Sequence, residues 1–240
     1  MRYWVVLPAA GAGRRFGGSL PKQHWPLASS TVLEMSLRPF IADARCAAIA
    51  LVLDAPALAD SSLRARLPAM VLTVAGGAER ADSVLAGLEA LALHTPAPAS
   101  GGDWVLVHDA ARPCLSTRDL ERLLVAGVSQ PHGALLAAPV ADTLKRADER
   151  GICDGTVDRA GLWRALTPQM FRLGALQDAL RAARASARTP TDEAQAMEWQ
   201  GAAALLVEAV DGNIKITNRA DLVIAEAMLA GRDGGSAPCV

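Results

Sequence analysis

Short apolar runs alternate along the chain with segments whose apolar residues recur at helical spacing. The runs are rich in Val, Ile and Leu, and they predict buried strands at residues 3–8, 48–53, 70–74, 104–108, 133–140 and 203–210. Strands that alternate with helices are typical of a mostly parallel sheet covered by helices on both faces. We therefore expect an α/β fold with a Rossmann-like sheet.

Helical patterns fill the spaces between these strands. Thr31 and Glu34 form the pattern of a capping box, which predicts that a helix begins there. Ser116 with Asp119 predicts the start of a second helix, whose leucines recur at helical spacing. Further helices are predicted at residues 81–93, 173–187 and 219–229.

Residues 142–163 depart from this alternation. The segment is rich in charge, carries Gly151 and Gly155 near its middle, and has β-favouring residues at both ends. This pattern predicts a hairpin arm that projects from the sheet, with a flexible loop as the alternative. Since no shift in composition divides the chain, we expect a single domain over residues 1–231, followed by a flexible tail at residues 232–240.

Composition and charge narrow the class of protein. The 240 residues are 51% apolar and 20% charged, so one substantial core is expected rather than a disordered chain. The net charge of −1 argues against a broad basic surface for nucleic acid or an anionic membrane. The four cysteines are scattered, without zinc-site spacing, and no apolar run approaches the ~18 residues that span a bilayer. We expect a soluble, cytoplasmic protein.

Candidate chemistry begins in the loop after the first strand. Gly11 and Gly13 let the backbone approach a ligand closely, its N–H groups can bind anionic oxygens, and Arg14 and Arg15 add charged donors. The loop lacks the residues of a Walker motif, and a phenylalanine replaces the third glycine of the dinucleotide fingerprint. It indicates a polyphosphate site, although a tight strand-to-helix turn explains the loop alone equally well.

Three further segments follow predicted strands. Asp109 comes at the end of the fourth strand, where a lone carboxylate suits Mg²⁺ beside substrate phosphates, or else caps a helix or pairs with Arg112. The other two segments are residues 76–83 and 212–217. Because the carboxyl ends of parallel strands face one crevice, we expect all four segments to share a site. His108 is expected to be structural.

Together these segments resemble the 2-C-methyl-D-erythritol 4-phosphate cytidylyltransferase family. The motifs that carry the resemblance occur in order between about residues 4 and 229, at residues 8–15, 21–23, 76–84, 107–113, 142–145, 156–163, 166–169, 191–194 and 213–217. The resemblance implies transfer of a cytidylyl group from CTP to 2-C-methyl-D-erythritol 4-phosphate, with release of pyrophosphate, in the non-mevalonate isoprenoid pathway. Such a reaction needs no nucleophilic side chain, because the attacking phosphate is already an anion.

The resemblance also implies roles for individual residues. Arg15 and Lys22 match the residues that stabilise the transition state on the triphosphate. Nucleotide binding is implied for Ala9, Ala10, Gly11, Gly13, Gly77, Ala78, Ser83, Asp109 and Arg112. Positioning of the acceptor is implied for Arg159, Lys215, Thr143 and Thr167. Asp109 matches the carboxylate on the metal side, so Mg²⁺ or another divalent cation is expected, and in the family the arm crosses to a neighbouring subunit, which implies a homodimer.

The sequence departs from the family pattern at three positions. Ala78 stands where the family often has Asp, Ala141 where it often has Arg, and Gly212 where it often has an acidic residue. No cyclase domain of the kind fused to some relatives is expected.

Two other functions compete with this one. The first is a cytidylyltransferase for another polyol phosphate, such as ribitol 5-phosphate, although the match at residues 156–163 favours methylerythritol phosphate. The second is a nucleotide sensor or scaffold without turnover, against which the retention of Arg15, Lys22 and Asp109 argues.

Overall fold

Seven strands form the central sheet, and helices cover both of its faces. The computed structural model describes residues 1–11, 22–94 and 98–233, apart from the side chains of Lys22 and Asp233. The strands are β1 (Tyr3–Pro8), β2 (Pro26–Leu27), β3 (Ser30–Thr31), β4 (Cys46–Leu53), β5 (Val71–Ala75), β6 (Trp104–Val107), β7 (Ala134–Pro139), β8 (Leu144–Ala147), β9 (Cys153–Val157), β10 (Trp163–Arg172) and β11 (Leu205–Glu208). The helices are α1 (Val32–Ile41), α2 (Ala55–Ala59), α3 (Ser61–Arg66), α4 (Arg80–Ala92), α5 (Thr117–Gly127), α6 (Leu173–Ala185), α7 (Glu193–Glu198) and α8 (Arg219–Asp233), with a 3-10 helix at Lys22–His24.

The sheet is mostly parallel, in the order β11-β7-β10-β6-β1-β4-β5. Strand β1 lies at its centre and pairs in parallel with β4 and β6, while β5 and β11 pair in parallel with β4 and β7. The six predicted strands correspond to β1, β4, β5, β6, β7 and β11, and the predicted α/β fold is confirmed.

The prediction of six strands was incomplete, because β10 forms a seventh. It lies between β6 and β7 and pairs antiparallel with both. The sequence did not predict this strand, since Pro168 falls in its middle and a proline has no N–H to donate to the hydrogen bonds between strands. The strand accommodates this residue at an irregularity, where its register against β7 shifts between Ala165 and Gln169.

The central strand shows why the sheet needs cover on both faces. Along β1, Val5 and Leu7 pack with α1 and α5 on one face, whereas Trp4 and Val6 pack with α4 and α6 on the other. All four side chains are buried. Burying one such apolar side chain contributes about 1.5–3 kcal/mol, so a strand that is apolar on both sides favours a position between two helical layers.

Both predicted helix starts are confirmed by their capping bonds. The Thr31 hydroxyl accepts from the Glu34 N–H at 3.2 Å, and the Glu34 carboxylate accepts from the Thr31 N–H at 3.2 Å. The Ser116 hydroxyl accepts from the Asp119 N–H at 2.9 Å. Each such cap stabilises its helix by about 0.5–2 kcal/mol.

The predicted arm is present as a hairpin. Strands β8 and β9 pair antiparallel in a small sheet of their own, separate from the central sheet. At the end of the chain, α8 continues to Asp233, so the first two residues of the predicted tail are helical and the rest lie outside the described residues. Within the described ranges, every helix is too short or too polar to cross a bilayer.

Candidate functional site

A cavity lies at the carboxyl edge of the sheet, where the predicted segments meet. Residues 8–11 line it after β1, residues 77–80 after β5 and residues 109–111 after β6, together with Gln23 and Lys215. Their convergence confirms the expectation that four separate segments share one rim. Parallel strands make this possible, because their carboxyl ends all reach the same edge.

The loop after β1 is held by backbone and amide hydrogen bonds. The Ala9 N–H donates to the Val52 carbonyl at 2.7 Å, and the buried Gln23 amide donates to the carbonyls of Ala9 at 2.9 Å and Gly11 at 3.4 Å. Ala10 also lines the cavity. These bonds fix a wall of small residues that a flat ligand can approach closely.

The resemblance gives catalytic roles to Arg15 and Lys22. Arg15 falls outside the described residues, as do Gly13 and Arg14. The backbone of Lys22 begins the 3-10 helix beside Gln23, and its side chain is outside the description.

The loop after β5 approaches the first loop closely. A Cβ on Gly76 would lie 2.4 Å from the Ala10 Cβ, so only glycine permits this separation. The Ser83 hydroxyl accepts from the Gly77 N–H at 3.1 Å and donates to the Glu79 carbonyl at 3.2 Å. Ser83 is buried and braces the loop, while Gly77 and Ala78 face the cavity.

Three cationic side chains surround the buried Asp109 carboxylate. Lys215 Nζ lies 2.7 Å from Oδ2, Arg80 Nη2 lies 3.0 Å from Oδ1, and Arg112 Nε lies 3.7 Å from Oδ2. Burial alone would raise the pKa of Asp109, but the charges of Arg80, Lys215 and Arg112 outweigh it and hold the pKa well below its usual range. The alternative in which Asp109 pairs with Arg112 is therefore only part of the arrangement, because Arg112 is the most distant of three cationic partners.

His108 and the backbone of Asp109 both bond to Thr167 on strand β10. The His108 Nε2 lies 3.1 Å from the Arg112 carbonyl, and its Nδ1 lies 3.0 Å from the Thr167 hydroxyl, which accepts from the Asp109 N–H at 3.1 Å. Burial lowers the pKa of His108 to about 4, so the ring is neutral near pH 7. Since a carbonyl can only accept, Nε2 carries the proton and Nδ1 accepts from Thr167.

These bonds agree with the structural role expected for His108. They also place Thr167, an acceptor-positioning residue by resemblance, where its hydroxyl fixes the backbone of Asp109.

The segment that carries Lys215 is fixed against the same strand ends. Arg112 Nη1 donates to the Asn213 carbonyl at 2.9 Å, the Asn213 amide donates to the Thr167 carbonyl at 2.6 Å, and the Ile216 N–H donates to the Ala111 carbonyl at 2.8 Å. These bonds bring the Lys215 ammonium to Asp109.

Gly212, which precedes this segment, has a φ of +66°. This left-handed conformation favours glycine at the position.

The arm residues lie apart from the cavity of their own chain. Thr143 and Arg159 are exposed, and neither is among the described residues that line the cavity. The Arg159 guanidinium donates to the Ala141 carbonyl at the base of the arm. A single chain therefore does not bring these two predicted residues to the rest of the site.

Three polar residues of the site were missed as functional candidates. Gln23 braces the first loop, Arg80 contacts Asp109, and the buried Glu193 pairs with Arg80 at 2.6 Å. All three stand inside the motifs that carry the resemblance, but each follows or precedes a more conspicuous residue. The available signal for Arg80 was its place beyond a strand end, at the first turn of α4.

Comparison with known protein sequences agrees with the resemblance. A family model described as 2-C-methyl-D-erythritol 4-phosphate cytidylyltransferase matches residues 3–231. A protein of that name from Acidithiobacillus ferrooxidans is 52% identical over 235 residues, which cover 96% of this chain and 98% of the relative. Another from Ectopseudomonas mendocina is 48% identical over 228 residues, covering 92% of this chain and 93% of the relative.

Solved structures agree with the sequence comparison. A crystal structure of 4-diphosphocytidyl-2C-methyl-D-erythritol synthase aligns with a TM-score of 0.81 at 34% identity, over 95% of this chain and 98% of the other. The 2-C-methyl-D-erythritol 4-phosphate cytidylyltransferase of Francisella tularensis aligns with a TM-score of 0.79 at 30% identity, over 95% and 100%.

Proposed function

Because this chain belongs to the 2-C-methyl-D-erythritol 4-phosphate cytidylyltransferase family, we propose that its cavity is where a cytidylyl group passes from CTP to 2-C-methyl-D-erythritol 4-phosphate. The observation that carries this assignment is the meeting of two loops of small residues with Asp109, Arg80 and Lys215 at one edge of the sheet. The small residues suit a base and ribose, and the Lys215 ammonium suits a phosphate.

The reaction is an in-line displacement at phosphorus. An oxygen of the acceptor's phosphate forms a bond to the α-phosphorus of CTP, the bond from that phosphorus to the bridging oxygen breaks, and its electron pair leaves with pyrophosphate. The attacking oxygen is already anionic, so the enzyme supplies alignment and positive charge rather than a side-chain nucleophile.

The nucleotide base fits the two loops at the cavity wall. Backbone groups of Ala9, Ala10, Gly77 and Ala78 can pair with both donor and acceptor edges of cytosine, and such polar pairing rejects bases with another pattern. Ala78 contributes its backbone, so the lack of a carboxylate at this position leaves the recognition intact. Gln23 fixes the first loop and Ser83 fixes the second.

Positive charge serves the triphosphate and the acceptor. Arg15 and Lys22, by their match to the family, stabilise the charge that builds on the α-phosphate and the departing pyrophosphate. Lys215 takes the acceptor's phosphate and exchanges its contact with Asp109 for one with the substrate. The 2.7 Å contact between Lys215 and Asp109 supports this role, because it holds the ammonium at the cavity before substrate enters.

A divalent cation, Mg²⁺ or a similar ion, fits the chemistry of Asp109. Among the described residues, no group of three His, Cys, Asp or Glu side chains is arranged to hold a metal by itself. Mg²⁺ commonly takes one or two carboxylates and completes its shell with substrate phosphates and water. Asp109 Oδ2 accepts one hydrogen bond, from Lys215, and retains a second lone pair for an ion. When bound, such an ion neutralises charge on the phosphates.

A homodimer would complete the site with residues from the partner's arm. Thr143 and Arg159 lie on the arm and away from the cavity of their own chain, so acceptor positioning by them requires a second copy. Apolar Ile152, Leu162 and Trp163 are exposed on or beside the arm, which supports a covered surface there. Sedimentation equilibrium should give twice the chain mass of 25.0 kDa, whereas a single-chain mass contradicts the shared site.

A cytoplasmic location is part of the proposal. Cys46, Cys114 and Cys153, the cysteines within the described ranges, are free thiols. Free thiols are the usual state of cysteine in a reducing compartment.

The activity is tested by pyrophosphate release from CTP and Mg²⁺. The acceptor is 2-C-methyl-D-erythritol 4-phosphate in one reaction, ribitol 5-phosphate in a second and absent from a third. Release with the first acceptor alone is expected. Release only with ribitol 5-phosphate would keep the nucleotide site but refute the acceptor, and release with neither would refute the activity.

A further inference from the structure

A buried carboxylate stands behind the cavity. Glu193 is the first residue of α7, and only 1% of it is exposed. It lies outside the set of described residues that line the cavity. Burying a carboxylate costs free energy unless it is paired, so the role of Glu193 depends on the group that pairs with it.

That partner is Arg80, which also contacts Asp109. Arg80 Nη1 and Nη2 donate to the two oxygens of Glu193 at 2.6 and 3.1 Å. The same guanidinium donates from Nε and Nη2 to Asp109 Oδ1 at 3.3 and 3.0 Å. Because the guanidinium is planar and rigid, filling one edge with Glu193 fixes the direction in which the other edge meets Asp109.

The residues on either side of Glu193 are held by Gln169 of β10. Gln169 Nε2 donates to the Asp192 carboxylate at 2.9 Å, and Gln169 Oε1 accepts from the Ala194 N–H at 2.8 Å. These bonds lie on either side of Glu193 in the chain. The start of α7 is therefore a fixed support, and Glu193 is its point of contact with the active-site cations.

The charge of Arg80 makes this support relevant to catalysis. The Arg80 side chain is one-third exposed and lines the cavity, where the triphosphate of CTP would attract it. If Arg80 turned to the phosphates, Asp109 would lose one of its two close cationic partners.

We infer that Glu193 is a positioning residue for cytidylyl transfer, which holds Arg80 on Asp109 and prevents it from pairing with the triphosphate. This inference rests on the proposed function, and it assigns a role to a residue that never touches the substrate. Without the Glu193 carboxylate, CTP still binds, but Arg80 leaves Asp109 and the reacting groups are misaligned.

The first test is the Glu193→Gln variant, which keeps the size of the side chain and removes its charge. Glu198→Gln is the matched control, since Glu198 is an exposed carboxylate on the same helix. We expect kcat of Glu193→Gln to fall by about tenfold or more, because small misplacements in a reacting site have effects of this size. The KM for CTP should stay unchanged or fall, and Glu198→Gln should match the wild type. An unchanged kcat, or a raised KM with kcat intact, would overturn the inference.

The second test asks whether Glu193 acts through Arg80. In an Arg80→Met background, Glu193→Gln should lower kcat no further, because the group that Glu193 positions is gone. The same fall in both backgrounds would overturn the inference. If Glu193→Gln fails to fold, Glu193→Asp keeps the charge but shortens the reach, and its kcat should fall while CTP affinity is retained; an unchanged kcat would again overturn the inference.

A crystal structure of Glu193→Gln with CTP would show the contact between Arg80 and Asp109 directly, without a measurement of turnover. Arg80 should leave Asp109 in the variant and stay on it in the wild type with CTP, whereas an unchanged contact would refute the role of Glu193. Failure of the proposed function has a different signature, namely a wild type that releases no pyrophosphate with 2-C-methyl-D-erythritol 4-phosphate.

Discussion

The buried histidine beside Asp109 predicts a defined loss of stability in acid. His108 donates from Nε2 to the Arg112 carbonyl and accepts at Nδ1 from Thr167, and its ring packs edge-on against Phe40 at 5.2 Å. Protonation of Nδ1 would place a second donor against the Thr167 hydroxyl and a charge at a fully buried position. The folded chain therefore binds this proton less readily than the unfolded chain.

The size and sign of the effect follow from the pKa. Burial lowers the pKa of His108 from 6.5 to about 4. The stability that the neutral ring contributes is complete above pH 6.5, and it is lost as the pH falls from 6.5 to about 4, because the unfolded chain takes up the proton first. A shift of this size corresponds to about 3 kcal/mol in the free energy of unfolding.

The assay compares urea unfolding of the wild type and His108→Gln between about pH 7 and about pH 4. Other groups also titrate in this range, so the informative quantity is the difference between the two free energies of unfolding. We expect the advantage of the wild type to shrink by about 3 kcal/mol towards acid. His132→Gln, at an exposed histidine before β7, controls for the loss of a histidine in general. A difference that stays constant with pH would refute the neutral, buried ring.

Three substitutions test other parts of the account. Lys22→Ala should lower kcat far more than it weakens CTP binding in calorimetry, and equal losses would contradict its transition-state role. Arg159→Ala should raise the KM for the acceptor, whereas the control Arg150→Ala at the arm's tip should not. Mixing Arg159→Ala protomers with Lys22→Ala protomers should restore activity, and no restoration would contradict sites shared between subunits. Gly133→Ala should lose more than about 2 kcal/mol in urea unfolding, because φ is +82° and its Cβ would lie 2.2 Å from the Met170 carbonyl, and a milder loss would contradict that contact.

Local patterns predicted the elements whose causes are local. The apolar runs gave six of the sheet strands, and the cap at Thr31 fixed the start of α1. Strand β10 was not predicted, because it forms by pairing with β6 and β7, which lie far from it in sequence. Pro168 also interrupts the pattern that is typical of a strand.

The candidate site divides in the same way. Asp109 was recognisable because it follows a strand, and the edge on which parallel strands end is a topological rule. Glu193 was not, since it reaches Asp109 only through Arg80, from a helix 113 residues further along the chain than Arg80. Its function follows from burial and pairing, which a single sequence does not display.

The most direct test of the central claim is to identify the product. Phosphorus NMR of a reaction with CTP, Mg²⁺ and 2-C-methyl-D-erythritol 4-phosphate follows every phosphate at once. We expect the acceptor's monophosphate signal to be replaced by that of a diphosphate diester, in step with an equal amount of pyrophosphate. Formation of CMP and pyrophosphate with the acceptor unchanged would mean that water is the acceptor, and it would contradict the account.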